Sequence, residues 1–144
     1  DILGVYHVGV EVHQDEYTFG NSRAKHCRRV GSEASGVFRH EPKQAGAHCV
    51  FKQAVPLGTT AMARHQIEAV CAQLGDSDFA QANYRRVHHN CVDFARALAA
   101  RLGTEDLPFW CYRGAAAAKF LGMGGNPTNA DEEDEEEEDD EDEE

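Results

Sequence analysis

Two residues, His7 and Cys91, carry the side chains from which a thiol hydrolase could be built. Such an enzyme needs a cysteine that can become a thiolate and a histidine that can take its proton. Asn90 is a favourable N-cap residue, so Cys91 is predicted to lie in the first turn of a helix. There the unpaired backbone N–H groups and the helix dipole favour a negative sulfur and can stabilise an oxyanion. Asp93, in the same turn, would oppose the thiolate.

The residues alone leave both a catalytic and a structural interpretation open. Cys91 also opens an apolar stripe at helical spacing, and free cysteine is among the most buried residue types. His7 is one of eight histidines in the chain. On the polar side of a strand, a histidine is more often solvated or hydrogen-bonded than catalytic.

Two other kinds of site are disfavoured by spacing. The pairs at 26–27 and 48–49 each join a histidine to a cysteine, but they lack the paired spacing of structural zinc motifs. No metal and no cofactor are therefore expected. The basic residues between 23 and 29 lie in a polar segment without an RNP-like motif or a recognition helix, so nucleic-acid binding is not expected.

The charge of the chain is concentrated at one end. Residues 131–144 are all acidic and account for the net charge of −12, which leaves a nearly neutral body. A run of like charges repels itself, so residues 123–144 are predicted to form a disordered tail that either aids solubility or docks a basic partner. No apolar stretch reaches the roughly 18 residues that a membrane span requires. Five cysteines without a compact framework indicate reduced thiols, and hence the cytoplasm or the nucleus.

The elements that would position the candidate residues are strands followed by helices. Alternation in residues 5–12 places His7, Gly9 and Glu11 on one face, and on the other Tyr6, Val8, Val10 and Val12. Further strands are predicted at 16–20, 36–40 and 48–57, with an exposed loop at 21–36. Helices are predicted at 60–74, capped by Thr59 or Thr60 and closed by Gly75, and at 91–102, closed by Gly103. This order predicts an α+β domain, whose exposed strand edges would allow a dimer.

Six stretches, taken in order, resemble the PPPDE family of permuted papain-fold thiol peptidases, which includes the deSUMOylating isopeptidases. They are residues 4–12 (GVYHVGVEV), 16–20 (EYTFG), 35–38 (SGVF), 57–60 (LGTT), 90–94 (NCVDF) and 107–110 (LPFW). The resemblance runs from Gly4 to Arg113. It implies a catalytic domain over residues 1–122, with a small antiparallel sheet packed against helices.

The resemblance also implies an activity. It assigns the catalytic histidine to His7 and the nucleophile to Cys91, acting on conjugates of ubiquitin-like modifiers such as SUMO or ubiquitin. Asn90, next to the nucleophile, and Glu11, on the same face as His7, are candidates for an orienting or oxyanion role. Two alternatives stay open, a protein S-acyl thioesterase that uses the same dyad and a non-catalytic binding module.

The sequence departs from the family pattern in two places. The family commonly has Asn-Cys-Asn-His-Phe around the nucleophile, whereas this chain has Val92 and Asp93 after Cys91. The Val92 side chain cannot form the hydrogen bond that asparagine could offer a substrate. Family members also usually have a strand before the one that carries the histidine, and the sequence given lacks it.

Overall fold

The computed structural model describes residues 7–20, 26–45 and 51–112. In this part of the chain the strands are β1 (Val10–Val12), β2 (Asp15–Phe19), β3 (Arg28–Arg29) and β4 (Val37–His40). The helices are α1 (Arg64–Gly75) and α2 (Cys91–Leu102), and two 3₁₀ turns span Gln81–Asn83 and Phe109–Cys111. The predicted α+β class, with a small antiparallel sheet and helices, is confirmed.

The four strands form one antiparallel sheet in the order β1-β2-β4-β3. A tight turn joins β1 to β2 through His13 and Gln14, which both have positive φ angles, of 49° and 68°. Two-residue hairpins favour such turns because their twist matches that of the strands. The turn sets the register, in which Val10 lies opposite Tyr17.

Side chains alternate between the two faces of this sheet. On one face Tyr17, Phe19 and Val37 are almost fully buried and belong to the main core. Thr18 and His40 point to the other face and are also buried. The sheet therefore has an apolar face toward the helices and a second face on which buried polar side chains meet.

Helices α1 and α2 cover the apolar face. Phe94 on α2 packs against Phe79, with ring centroids 5.4 Å apart, and Phe79 packs edge-on against Phe19 at 5.0 Å. Gly36 is required beside this cluster, since a Cβ there would lie 2.6 Å from a ring carbon of Phe19. Each fully buried side chain of this size contributes about 1.5–3 kcal/mol. This packing holds α2 against β2.

A second, smaller cluster surrounds the beginning of α2. Its buried members are Cys91, Val92, Ala95, Ala99, Leu107 and Cys111. The partly buried side chains packed against it include Val8 and Val10 on the β1 side, together with Leu57 and Trp110. The predicted inward-facing valines are thereby confirmed for Val8, Val10 and Val12. Helix α2 thus contacts the chain next to His7.

Two predicted strands differ from the structure. Residues 51–57 form no strand, and 48–50 lie outside the described residues. Pro56 has no N–H to give to a ladder, and the Leu57 carbonyl instead accepts a hydrogen bond from Glu105 N–H at 2.9 Å. In the predicted strand 5–12 only Val10–Val12 pairs with a neighbour, while 7–9 are unpaired and 5–6 lie outside the described residues. Conversely, the predicted 21–36 loop contains β3, which pairs with β4.

The ends of α1 also differ from the prediction. The helix begins at Arg64, with Ala63 as N-cap, because Gln66 Oε1 accepts the Ala63 N–H at 2.8 Å. Thr60 does not cap the helix, since its Oγ1 accepts the Met62 N–H at 3.2 Å in a local turn outside it. At the other end Gly75 is the last helical residue, and Asp76 is the C-cap.

Candidate active site

Helix α2 begins at Cys91 because Asn90 caps it. The Oδ1 atom of Asn90 accepts the Val92 N–H at 3.0 Å, and Oδ2 of Asp93 accepts the Asn90 N–H at 2.8 Å. These reciprocal bonds satisfy two backbone donors that a helix start leaves unpaired. Asn90 also donates from Nδ2 to the Arg86 carbonyl at 2.9 Å. The predicted N-cap is confirmed, as is Gly103 at the end of the helix, in the left-handed conformation.

The Cys91 thiol is buried among apolar side chains, and the residue is only 7% exposed. Burial raises the pKa of this thiol above its ordinary value, and Asp93 adds to the effect. The backbone N–H groups of Val8, Cys91 and Val92 near the sulfur act in the opposite direction, because they favour the thiolate. The sulfur therefore rests as a neutral thiol, surrounded by donors that would stabilise negative charge.

His7 immediately precedes Val8, and its ring lies on the polar face of the sheet. Nε2 of His7 is 3.2 Å from Oγ1 of Thr18. Burial of the ring lowers the pKa of His7 below 6.5, Glu16 opposes this effect, and His40 adds to it. Near neutral pH the imidazole is thus uncharged and able to accept a proton.

The structure brings His7 and Cys91 together through the backbone, not through their side chains. The sulfur meets the N–H of Val8, the residue after His7. Among the described residues, however, His7 and Cys91 share no hydrogen bond, and the His7 ring is hydrogen-bonded to Thr18 instead. Catalytic hydrogen bonds often tighten only when substrate is bound. Proton transfer here requires the His7 ring to turn from Thr18 toward the sulfur, or to act through a water molecule.

The second candidate partner of His7, Glu11, is exposed on β1 directly opposite Glu16. Within the described part of the chain it forms no hydrogen bond with His7. Glu16 and His40 instead act on the His7 ring, and sequence reasoning missed both. The alternation of residues 16–19 could have placed Glu16 on the polar face, but the pairing of Glu16 with His40 requires the register between β2 and β4.

A cleft of about 970 Å³ opens beside His7. Its walls are formed by residues 7–14 around β1, the irregular segment 51–60 and residues 107–111. Cys91 packs in the same cluster as Val8 and Cys111, which both line the cleft. Phe51 lies on the wall and is 52% exposed. Phe109 lies between the wall residues Pro108 and Trp110 and is 63% exposed. The cleft thus combines an apolar rim with a histidine and a nearby thiol.

Other sites are not evident in the part of the chain that the structure describes. Over residues 7–20, 26–45 and 51–112, no three histidine, cysteine or acidic side chains are grouped to hold a metal ion. In the same ranges, no helix has the length and apolar character needed to span a membrane. Of the other described cysteines, Cys71 is fully buried, which raises the pKa of its thiol to about 12.

The comparison with protein families decides the classification. Residues 1–126 match the family described as "PPPDE putative peptidase domain". The chain belongs to the PPPDE peptidase family. Membership in a peptidase family indicates a hydrolase, and the α+β fold with its helix-starting cysteine agrees with this assignment.

Two curated relatives of this PPPDE domain are DeSI-like proteins. One, from Arabidopsis thaliana, is 27% identical over 118 residues, which cover 82% of this chain and 48% of the relative. The other, the DeSI-like protein sdu1 of Schizosaccharomyces pombe, is 25% identical over 111 residues, covering 77% of this chain and 51% of the relative. The chain spans about half the length of these relatives. No solved structure gives a significant match.

Two substitutions of Asn90 separate its capping hydrogen bond from the effect of a charge at this position. We expect Asn90→Ala to lower the free energy of unfolding by about 1–2 kcal/mol, because the Val92 N–H loses its acceptor. Asn90→Asp keeps that acceptor but loses the donor to the Arg86 carbonyl and places a negative charge beside Cys91, so the pKa of the thiol should rise while only part of the stability remains. Urea unfolding and the pH dependence of Cys91 alkylation by iodoacetamide measure the two effects. Equal stability of Asn90→Ala and the parent would contradict the capping role.

Proposed function

We propose that this domain is a cysteine isopeptidase that removes ubiquitin-like modifiers, SUMO or ubiquitin, from proteins through Cys91 and His7. The observation that carries the proposal is the position of Cys91 in a PPPDE peptidase domain. It is the first residue of a capped helix, and its sulfur meets the N–H of the residue after His7. The names of the DeSI-like relatives support the same class of substrate. We also propose that the protein acts in the cytoplasm or the nucleus.

The reaction begins from an uncharged pair. His7 takes the thiol proton as Cys91 attacks the carbonyl carbon of the isopeptide bond, and the carbonyl oxygen becomes an oxyanion. Backbone N–H groups at the start of α2, with that of Val8, are the donors available to this oxyanion. His7 then protonates the leaving lysine amine, and the modifier remains bound to Cys91 as a thioester. Water, deprotonated by His7, releases the modifier and restores the thiol.

The cleft beside His7 is where the modifier's C-terminal segment would lie. An extended segment can follow the groove between β1 and residues 51–60 and reach the thiol near Val8. Apolar side chains of such a segment would contact Phe51 and Phe109, the two large hydrophobic residues that are exposed in the described part of the chain. Burying these rings against substrate would offset the cost of their exposure to water.

The proposal is tested by labelling with ubiquitin and SUMO probes that carry a C-terminal electrophile. We expect the parent protein to form a covalent adduct and Cys91→Ser to form none. His7→Ala should react at least about 100-fold more slowly than the parent, because the base is lost. Cys27→Ser, outside the site, is the matched control and should label like the parent. Retained labelling in Cys91→Ser, or its loss only in Cys111→Ser, would contradict the assignment of the nucleophile.

The contribution of the cleft is tested with Phe51→Ala and Phe109→Ala. We expect each to raise KM for a modifier conjugate about fivefold or more while kcat stays within twofold, because truncating a buried aromatic contact costs about 1 kcal/mol or more. Phe51→Tyr and Phe109→Tyr keep the ring and serve as controls. An unchanged KM in both alanine variants would show that substrate binds elsewhere.

An S-acyl thioesterase is the second candidate, and the apolar lining of the cleft favours it. Val8, Val10, Leu57 and Trp110 lie along the walls, and an acyl chain could bury its methylene groups against them. The same acyl-enzyme chemistry applies, with a thiol as the leaving group. Hydrolysis of a palmitoylated peptide thioester by the parent, together with no adduct from any modifier probe, would favour this function over the isopeptidase.

A further inference from the structure

The polar face of the sheet brings an acidic residue and a second histidine next to His7. In the β2–β4 register, Glu16 lies directly opposite His40, and Thr18 shares this face with both. The Glu16 carboxylate extends across β1, since a Cβ added to Gly9 would lie 2.7 Å from its Oε2 atom. Glycine at position 9 therefore makes room for this carboxylate on the His7 side of β1.

Glu16 and His40 form a largely buried pair on the polar face of the sheet. Nδ1 of His40 is 2.7 Å from the Glu41 carbonyl oxygen, which can only accept, so Nδ1 carries hydrogen. Nε2 lies 3.2 Å from Glu16 Oε2, at ion-pair distance but without the alignment of a hydrogen bond. The side chains are 1% and 14% exposed. The pair therefore places a carboxylate oxygen and an imidazole nitrogen close together, largely shielded from water.

We propose that Glu16 and His40 are positioning residues for the reaction of Cys91, and that together they set how readily His7 accepts a proton. The inference rests on the proposed function for its consequence in turnover, but the effect on His7 can be measured without turnover. Thr18 holds the ring of His7 on this face. The Glu16 carboxylate stabilises the imidazolium that forms when His7 takes the thiol proton, and His40 limits that stabilisation.

The directions of the electrostatic effects agree with this arrangement. Burial has the largest effect on the pKa of His7 and lowers it. Glu16 raises this pKa, and His40 lowers it further. Other titratable groups face the same space. Around His7 they are Glu11, His13, Lys43 and Lys52 on the cleft walls and Cys91 on α2, and around His40 they are His26 and Glu41.

The test is the titration of His7 itself, followed by NMR in protein labelled with ¹³C in the histidine rings. The signal is assigned from its absence in His7→Gln. Glu16→Gln should move the midpoint of His7 down by about one pH unit, and His40→Asn should move it up by about one pH unit, because Glu16 raises the pKa of His7 and His40 lowers it. In His40→Asn, the asparagine amide keeps a donor toward the Glu41 carbonyl. If His40→Asn does not fold, His40→Gln is the second variant, because its amide can donate toward Glu16. Glu33→Gln, in the turn before β4, removes a remote carboxylate and should leave the midpoint in place.

Opposite shifts in the two variants are the signature that a merely structural role would not produce. Midpoints that stay in place, or move in the same direction, would overturn the inference. The acid limb of the pH profile of kcat/KM for a modifier conjugate should shift in the same directions as the His7 midpoint. If His7 titrates as expected but neither the parent nor any variant turns over a conjugate, the proposed isopeptidase activity fails while the coupling stands. If the parent turns over a conjugate and the titration midpoint of His7 does not move in either variant, only the present inference fails.

Discussion

The reciprocal hydrogen bonds between Asn90 and Asp93 determine where α2 begins, and the geometry of the site depends on them. They make Cys91 the first helical residue, so its sulfur lies among the unpaired N–H groups of the first turn. A start one residue earlier or later would rotate the side chain by about 100° around the helix axis and turn it away from Val8. The packing of Phe94 against Phe79 then holds this end of the helix beside the sheet.

Burial and reactivity oppose each other at this site. The apolar cluster around Cys91 raises the pKa of the thiol, and the surroundings of His7 lower the pKa of the imidazole, so both changes favour the uncharged pair. A neutral thiol can rest in an apolar cluster at little cost, whereas the charged pair of the proposed reaction would need stabilisation from fixed groups. In the proposed reaction, backbone N–H groups would supply it for the sulfur, and Glu16 would supply it for the ring. The polar face of the sheet is therefore part of the site.

Features that depend on local sequence could be predicted, and those that depend on pairing between distant segments could not. Helix α2 was predictable at both ends because Asn90, the apolar stripe and Gly103 all lie in one continuous stretch, residues 90–103. The faces of Val8 and Val10 followed from simple alternation. The segment 51–57 was predicted as a strand because its composition resembles one, but a strand also needs a partner, which no local pattern reveals. The Glu16–His40 pair joins residues on separate strands, and only their register brings them together.

Trapping the acyl-enzyme tests the central claim most directly. The full chain would be mixed with a modifier–lysine isopeptide conjugate, quenched with acid within the first turnovers, and examined by intact-mass and peptide mass spectrometry. The account predicts a thioester-linked modifier on the peptide that contains Cys91, removable by hydroxylamine. A modifier attached to the peptide containing Cys111 or Cys71, or turnover of the conjugate by Cys91→Ser, would contradict it.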